Sequence, residues 1–501
     1  MVNKSVNKNK FGALGSIPLY EIKEVGSVKE VSQDIIKIDG LTNCAFGQLV
    51  YLPESKIKAL IVSFTQDEIL AIPFAPAGRV KLAEAVEALD PIFKLACGEE
   101  YLGRVVSSLG LPLDGGTKID SALTLPVFAQ GKGVLERLPI EDMLHTGINL
   151  IDALISIGKG QRELIIGGRQ TGKTSIALDA IINQRDKNVI CIYCWIGGSA
   201  GNLIRIIDTL KQNEALNYSI VINASASSSL GEQYIAPYVA ATLGEYFMQK
   251  GKDVLVVFDD LTKHAWCYRQ LSLLLGRFPG RESYPGDIFY IHSQLMERAG
   301  RIIPKLGGGT MTFLPIVETL QGDITGYIQS NLISMTDGQI YLSADLFQQG
   351  YKPAVNIGLS VSRIGSRVQP PALKEVTSGL RLTYLQYQEL LRLLRLHTRV
   401  TDEAKQQLAR GESLIELFSQ PFNQQHTIAD QVILFYAFQR KILEILTQEG
   451  RRRFKGEMFS FLTVKHPELI IHLEKGLELT SMMKHVLNQA FSRFCQEHKI
   501  L

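Results

Sequence analysis

No uninterrupted apolar run in the 501 residues approaches the roughly 18–20 positions that a membrane-crossing helix needs, so none is expected. An excess of one charge is missing too. Lys and Arg number 53 against 50 Asp and Glu, and a net charge of +3 does not argue for nucleic acid or an anionic membrane surface as the main partner. Cysteine is scarce and scattered, with Cys44, Cys97, Cys191, Cys194, Cys267 and Cys495. That usage suits reduced thiols in a cytosolic compartment. The one C-x-x-C, Cys191 and Cys194, lies in the apolar run NVICIYCWI. Residues three apart on a strand point to opposite faces, and no second pair completes a zinc site, so both are read as core residues. The N-terminus, MVNKSVNKNKFGALGS, is basic but lacks the apolar core of a signal peptide. These absences together suggest a cytoplasmic protein whose attachment to a membrane, if any, runs through partners. No internal repeat of 20–50 residues is visible.

What is present has the composition of a soluble protein with sizeable cores, 46% hydrophobic and 21% charged, and a length that suits about three domains. After a solvated tail over residues 1–24, residues 25–95 carry short Val- and Ile-rich runs, punctuated by Asp39-Gly40, Pro53-Glu54 and Pro76-Ala77. Such spacing predicts a small β-barrel. Over 96–370, apolar runs (163–167, 189–196, 219–225, 254–260) alternate with helical segments (173–185, 201–212, 232–250, 264–275), the pattern of an α/β domain on a mostly parallel sheet. Over 371–501 strand patterns fade. Residues 382–396 and 428–446 place apolar side chains at helical spacing, for example Val432, Phe435, Phe438 and Ile442, which predicts a helical bundle. The run Arg451, Arg452, Arg453 and Lys455 reads as a solvated helix end rather than a nucleic-acid contact.

Residues 161–178, QRELIIGGRQTGKTSIAL, carry the chemistry. An apolar run ends at Gly167 and a helical pattern starts near Lys173, with G-x-x-x-x-G-K-[ST] between them, filled by Gly167, Gly172, Lys173 and Thr174. In this pattern backbone N–H groups and a helix N-terminus cradle phosphates, the lysine reaches the outer phosphates and the threonine hydroxyl meets Mg²⁺. About 85 residues on, VLVVFD ends in Asp259 with Asp260 behind it, an acid at a strand tip suited to hold Mg²⁺ through water. Hydrolysis also needs a group that activates water. The neighbouring strand, YCWIGGSAGN, ends in Gly197-Gly198 and offers no carboxylate, and Asp260 is a poor substitute because it points to the other face. A site that binds nucleotide and Mg²⁺ but turns over poorly is the expectation.

These residues resemble the α subunits of F-type ATP synthases. The resemblance rests on GGRQTGKTS (167–175) with its flanks, on the stretch from VVFDDLTKHAWCYRQ to LMERAGR (256–301), on ETLQGDITGYIQSNLISMTDGQIYL (318–342) and on LFQQGYKPAVNIGLSVSRIGS (346–366). It implies a β-barrel, a RecA-like nucleotide domain and a helical C-terminal domain. Three such chains would alternate with three catalytic β-type chains around a γ-type shaft, peripheral to the inner face of the plasma membrane through partner subunits, a stator among them. The site on this chain would be the non-catalytic one. Arg363 matches the arginine finger given in trans to the neighbouring catalytic site. By the same carry-over Gly167, Arg169, Gln170, Thr171, Gly172, Lys173, Thr174 and Ser175 would hold the phosphates of ATP or ADP and Mg²⁺. Lys352 would also contact the nucleotide, and Phe347 and Gln420 would line the adenine pocket, with Glu318 near the metal beside Thr174 and Asp259. The sequence departs from the family at Gly168 (usually Asp), Gly198 (usually Gln), Lys352 (usually Arg) and Phe422 (usually Gln), and no stalk-docking amphipathic helix is recognisable in residues 1–20. An α-like paralogue driving another membrane-associated machine is the alternative reading. A homohexameric RecA-like motor is a weaker one, since it predicts a strand-tip Glu, and a nucleotide-gated assembly protein is the non-enzymatic rival.

Overall fold

The computed structural model describes residues 24–65, 68–119, 121–394 and 402–498. The expected tail, apart from its last residue, and the question of a docking helix in residues 1–20 lie outside the described residues. Six strands, Val25–Ser32, Ile35–Asp39, Leu49–Leu52, Ile57–Phe64, Ile69–Pro73 and Ala85–Ala88, close into a barrel. Alternation supplies its filling: Val28, Ile36, Ile38, Val50, Leu52 and Ile61 form a core of their own.

The central domain is built on a sheet in the order Val361–Ser362, Gly338–Leu342, Leu164–Gly167, Thr310–Glu318, Asp253–Asp259, Val189–Ile196, Ser219–Ala224, Val105–Ser107. From Gly338–Leu342 to Val105–Ser107 this path is parallel throughout; Val361–Ser362 joins the other edge antiparallel. The near-continuous apolar runs reflect a sheet covered on both faces. Cys191, Tyr193 and Trp195 enter one core, Ile192, Cys194 and Ile196 the other, so the C-x-x-C pair is split between faces as the strand period requires. All six cysteines are free.

The C-terminal domain is helical from Pro371–Thr377 through Ser481–His498. The helical period around residue 432 is present, but one helix does not run over 428–446. It ends at Gln439, Lys441 takes φ 60°, and Ile442 opens a separate short helix. Residues Ala429 to Phe438 are buried on every face, so the pattern reports a central helix rather than an amphipathic one. The basic run also differs from a solvated end. Arg452 and Arg453 do pair on the surface with Glu416 and Glu457, but Arg451 and Lys455 turn inward onto backbone carbonyls. Among the described residues no helix is long and apolar enough to cross a membrane.

Candidate nucleotide site

The strand Leu164–Gly167 lies between Thr310–Glu318 and Gly338–Leu342, with Gly167 opposite both Glu318 and Leu342. Its loop therefore opens at the carboxyl ends of the parallel strands, where ligands of such sheets sit. Gly167 has to be glycine: a Cβ there would stand 2.7 Å from the Leu342 carbonyl oxygen. Gly172 adopts φ 100° to turn the backbone into the helix Lys173–Ile182. Gln170, between them, also takes a positive φ, of 58°. Gly168 is different. A Cβ there would meet only the Thr171 methyl at 3.6 Å, so nothing in the packing forces the loss of a side chain at this position.

Lys173 is 9% exposed, and its ammonium donates to the carbonyls of Gly167, at 3.0 Å, and Gly168. Burial pulls its pKa below the usual range, opposed by the charges of Glu318, Asp260 and Asp259. Thr171 is buried and its hydroxyl closes the loop onto Gly168 O at 2.9 Å. Thr174 Oγ1 donates to Asp259 Oδ2 at 2.8 Å, and Tyr193 OH donates to the same oxygen at 2.6 Å. Two strands and a helix thus converge on one carboxylate. Its companion Asp260 is engaged otherwise: Oδ1 caps the helix Leu261–Leu274 by accepting Lys263 N at 2.8 Å, and burial raises its pKa to about 7. Arg169, exposed on the loop, pairs with the Glu318 carboxylate.

Behind the loop a cavity of about 290 Å³ is lined by Thr171, Gly172, Ser175, Phe347, Lys352 and Phe422, with Gln420 also in its wall. The Gln420 amide faces inward to the protein. Its nitrogen donates to Gly147 O at 2.7 Å and to Gln424 O, and its oxygen accepts Asn149 N at 3.0 Å. Its part in the wall is therefore structural, fastening the helical domain to the nucleotide domain. Asp179, on the loop helix, also lines the cavity. Sequence spacing held no hint of it, nor of Tyr193.

Arg363 stands elsewhere. Ser362 pairs with Gly338 at the amino end of the strand Gly338–Leu342, and Arg363 N donates to Asp337 O at 2.8 Å. Four strand steps, about 13 Å at ~3.3 Å each, separate that end from the Leu342 end beside the loop. Arg363 is exposed and lines a cleft with Arg137, Arg162, Arg301, Arg367 and Asp337. Asp337 is held bidentate by Arg162 and Glu141 is held by Arg301, whereas the Arg363 guanidinium makes no hydrogen bond or ion pair among the described residues.

Residues 147–362 match the family model of the ATP synthase alpha/beta nucleotide-binding domain, and residues 369–494 match the model of the C-terminal domain of the same alpha/beta family. The protein belongs to the ATP synthase alpha/beta family. Among its curated relatives, the ATP synthase subunit alpha of Petrotoga mobilis is 43% identical over 477 residues, 95% of each sequence. That of Clostridium kluyveri is 41% identical over 474 residues, 95% of this sequence and 94% of its own. Members of the ATP synthase alpha/beta family bind nucleotide, and the loop and cavity are where this one would hold it. For Mg²⁺ the fit rests on the donor set. No group of three His, Cys, Asp or Glu able to hold a metal occurs among the described residues. Mg²⁺ does not need such a cage: one hydroxyl, one carboxylate through water and the phosphates themselves suffice. The Thr174–Asp259 pair would supply that share.

Proposed function

We propose that the protein is the non-catalytic, nucleotide-binding alpha-type subunit of an F1-type rotary ATPase or synthase. It alternates with catalytic beta-type subunits around a gamma-type shaft and is held at the inner face of the plasma membrane by partner subunits. In its own site Lys173 and the N-terminus of the loop helix bind the phosphates, and Thr174 with Asp259 orients Mg²⁺. Phe347 and Phe422 give the cavity an aromatic mouth suited to the adenine ring. The strand tip at Gly197-Gly198 has no group that takes a proton from water, so the bound ATP stays intact. Its task is to fix a subunit interface.

The observation that carries this reading is the position of Arg363, exposed, unpaired among the described residues, and at the sheet end away from its own phosphate loop. A guanidinium there serves a neighbour. In the adjacent catalytic site it neutralises charge that spreads over the equatorial oxygens as the phosphoryl group transfers. Such a finger contributes roughly 10³–10⁵ in rate in well-studied NTPases. In the assembled complex, Arg363→Ala is expected to lower kcat for ATP hydrolysis by at least about 100-fold while bound nucleotide is retained. Unchanged turnover would overturn the assignment. Robust hydrolysis by the full-length protein alone would overturn the non-catalytic one.

A further inference from the structure

The strand tip at Gly198 is not open space. A Cβ built there would lie 2.0 Å from Cζ2, 2.4 Å from Cε2 and 2.8 Å from Cη2 of Trp195. Those separations are overlaps, and the indole has nowhere to go, because it is only 5% exposed. The ring edge next to Nε1 therefore takes the root of any side chain placed at residue 198. Trp195 stands in register with Asp259 on the adjacent parallel strand, so the two side chains leave the same face of the sheet. Tyr193, two residues back and on that face, stacks with Trp195 at a centroid distance of 6.5 Å and donates to Asp259. The Lys263 ammonium stands 5.5 Å from the Trp195 ring centroid. The indole thus belongs to the same face as the Thr174–Asp259 pair. One atom is unaccounted for: Nε1 is buried and has no hydrogen-bond partner. Buried donors in folded proteins are almost always satisfied, so this one calls for an acceptor.

We propose that Trp195 replaces residue 198 as the strand-tip group of this nucleotide site, filling that side chain's volume and offering its N–H to an oxygen of the bound Mg-nucleotide or of a water it holds. The chemistry differs in kind from that of a carboxylate tip. An indole N–H donates and has no basic lone pair, so it stabilises the ground state of the ligand and cannot deprotonate water. The inference rests on the nucleotide reading above and extends it from a missing base to an installed donor.

The test uses the full-length protein. Its sequence contains two tryptophans, Trp195 and Trp266, so Trp266→Phe leaves Trp195 as the one indole reporter. Titration with MgATP or MgADP is expected to change its emission saturably. By calorimetry, Trp195→Phe, which keeps an aromatic ring but removes the donor, is expected to weaken Mg-nucleotide binding about 3- to 10-fold, the size of one net hydrogen bond. Packing is tested separately by a double-mutant cycle. Gly198→Ala is expected to lower the melting temperature by several degrees in the wild-type background, and by much less beside Trp195→Leu. Equal nucleotide affinity of Trp195→Phe with no emission change would overturn the donor role. Equal tolerance of Gly198→Ala in both backgrounds would overturn the displacement. A wild-type protein that binds no Mg-nucleotide would instead sink the nucleotide reading itself.

Discussion

Asp179 shows how much a single side chain hides from its sequence. It is 8% exposed, one face turned to the nucleotide cavity, and burial pushes its carboxyl up to about 6. Two hydrogen bonds oppose that shift, from Asn423 N at 3.0 Å and Gln425 Nε2 at 2.7 Å, and both reach the same oxygen, Oδ1. An unfolded aspartate titrates near ~3.9. Between about pH 4 and pH 6 the folded protein therefore holds a proton that the unfolded one has released, and stability falls as pH rises through this window. Asp179→Asn keeps an oxygen for both donors and removes the charge. It is expected to raise the melting temperature at about pH 8, with the gain shrinking through about pH 6 and gone by about pH 4. A gain independent of pH would show that the carboxylate is not strained by burial. Lys173, Thr174 and Asp259 were legible because the pattern around each is local, a loop between strand and helix or an acid at a strand tip. Asp179 was not, because the groups that define it lie 244 and 246 positions away.

At the scale of elements, a helix is only as finished as its ends. The helix Asp402–Phe418 leaves its last carbonyls without partners in the helix. Lys455, from the helix Gln448–Lys465, places its ammonium against the carbonyls of Glu416 at 3.2 Å, Leu417 at 3.1 Å and Ser419. A cation at this end also meets the negative pole of the helix dipole. Burial lowers the lysine to about 8, partly offset by Glu416 and Asp430, so near neutral pH the ammonium keeps the protons it donates. Lys455→Met preserves the stem and strips the donors. It is expected to destabilise the helical domain by about 1–3 kcal/mol, read as an earlier thermal transition, whereas Arg453→Met on the exposed side of the same helix should change little. A lysine in a run of arginines looks like solvated surface because composition cannot say which residue faces the neighbouring helix. Helix ends were blurred for a similar reason. The segment placed at 264–275 begins at Leu261, since Asp260 serves as its N-cap directly after the strand-tip acid.

The order of barrel, nucleotide domain and helical domain was readable along the whole sequence because hydrophobic periodicity changes twice, from short alternating runs to alternating strands and helices, and then to helices alone. What joins the last two was not. Asp152 is fully buried at that junction, and each of its oxygens accepts two donors. Oδ1 takes Thr146 N at 3.0 Å and Thr146 Oγ1 at 2.9 Å, while Oδ2 takes Gly147 N at 2.8 Å and Gln431 Nε2 at 2.8 Å. Gln431 belongs to the central buried helix of the C-terminal domain, 279 positions away. No orientation of an asparagine amide fits four donors, because its nitrogen would face two of them. A buried donor left without an acceptor costs about 1–3 kcal/mol. Asp152→Asn should therefore loosen the two domains together, with faster amide exchange over residues 428–439. The wall that carries Gln420 and Phe422 reaches the nucleotide cavity from the helical side, and Gln420 is tied to Gly147 beside this same network. Mg-nucleotide binding should consequently weaken several-fold although Asp152 does not line the cavity. Faster exchange with unchanged affinity would separate the junction from the site. Loss of both would make the domain contact part of how this subunit holds its nucleotide.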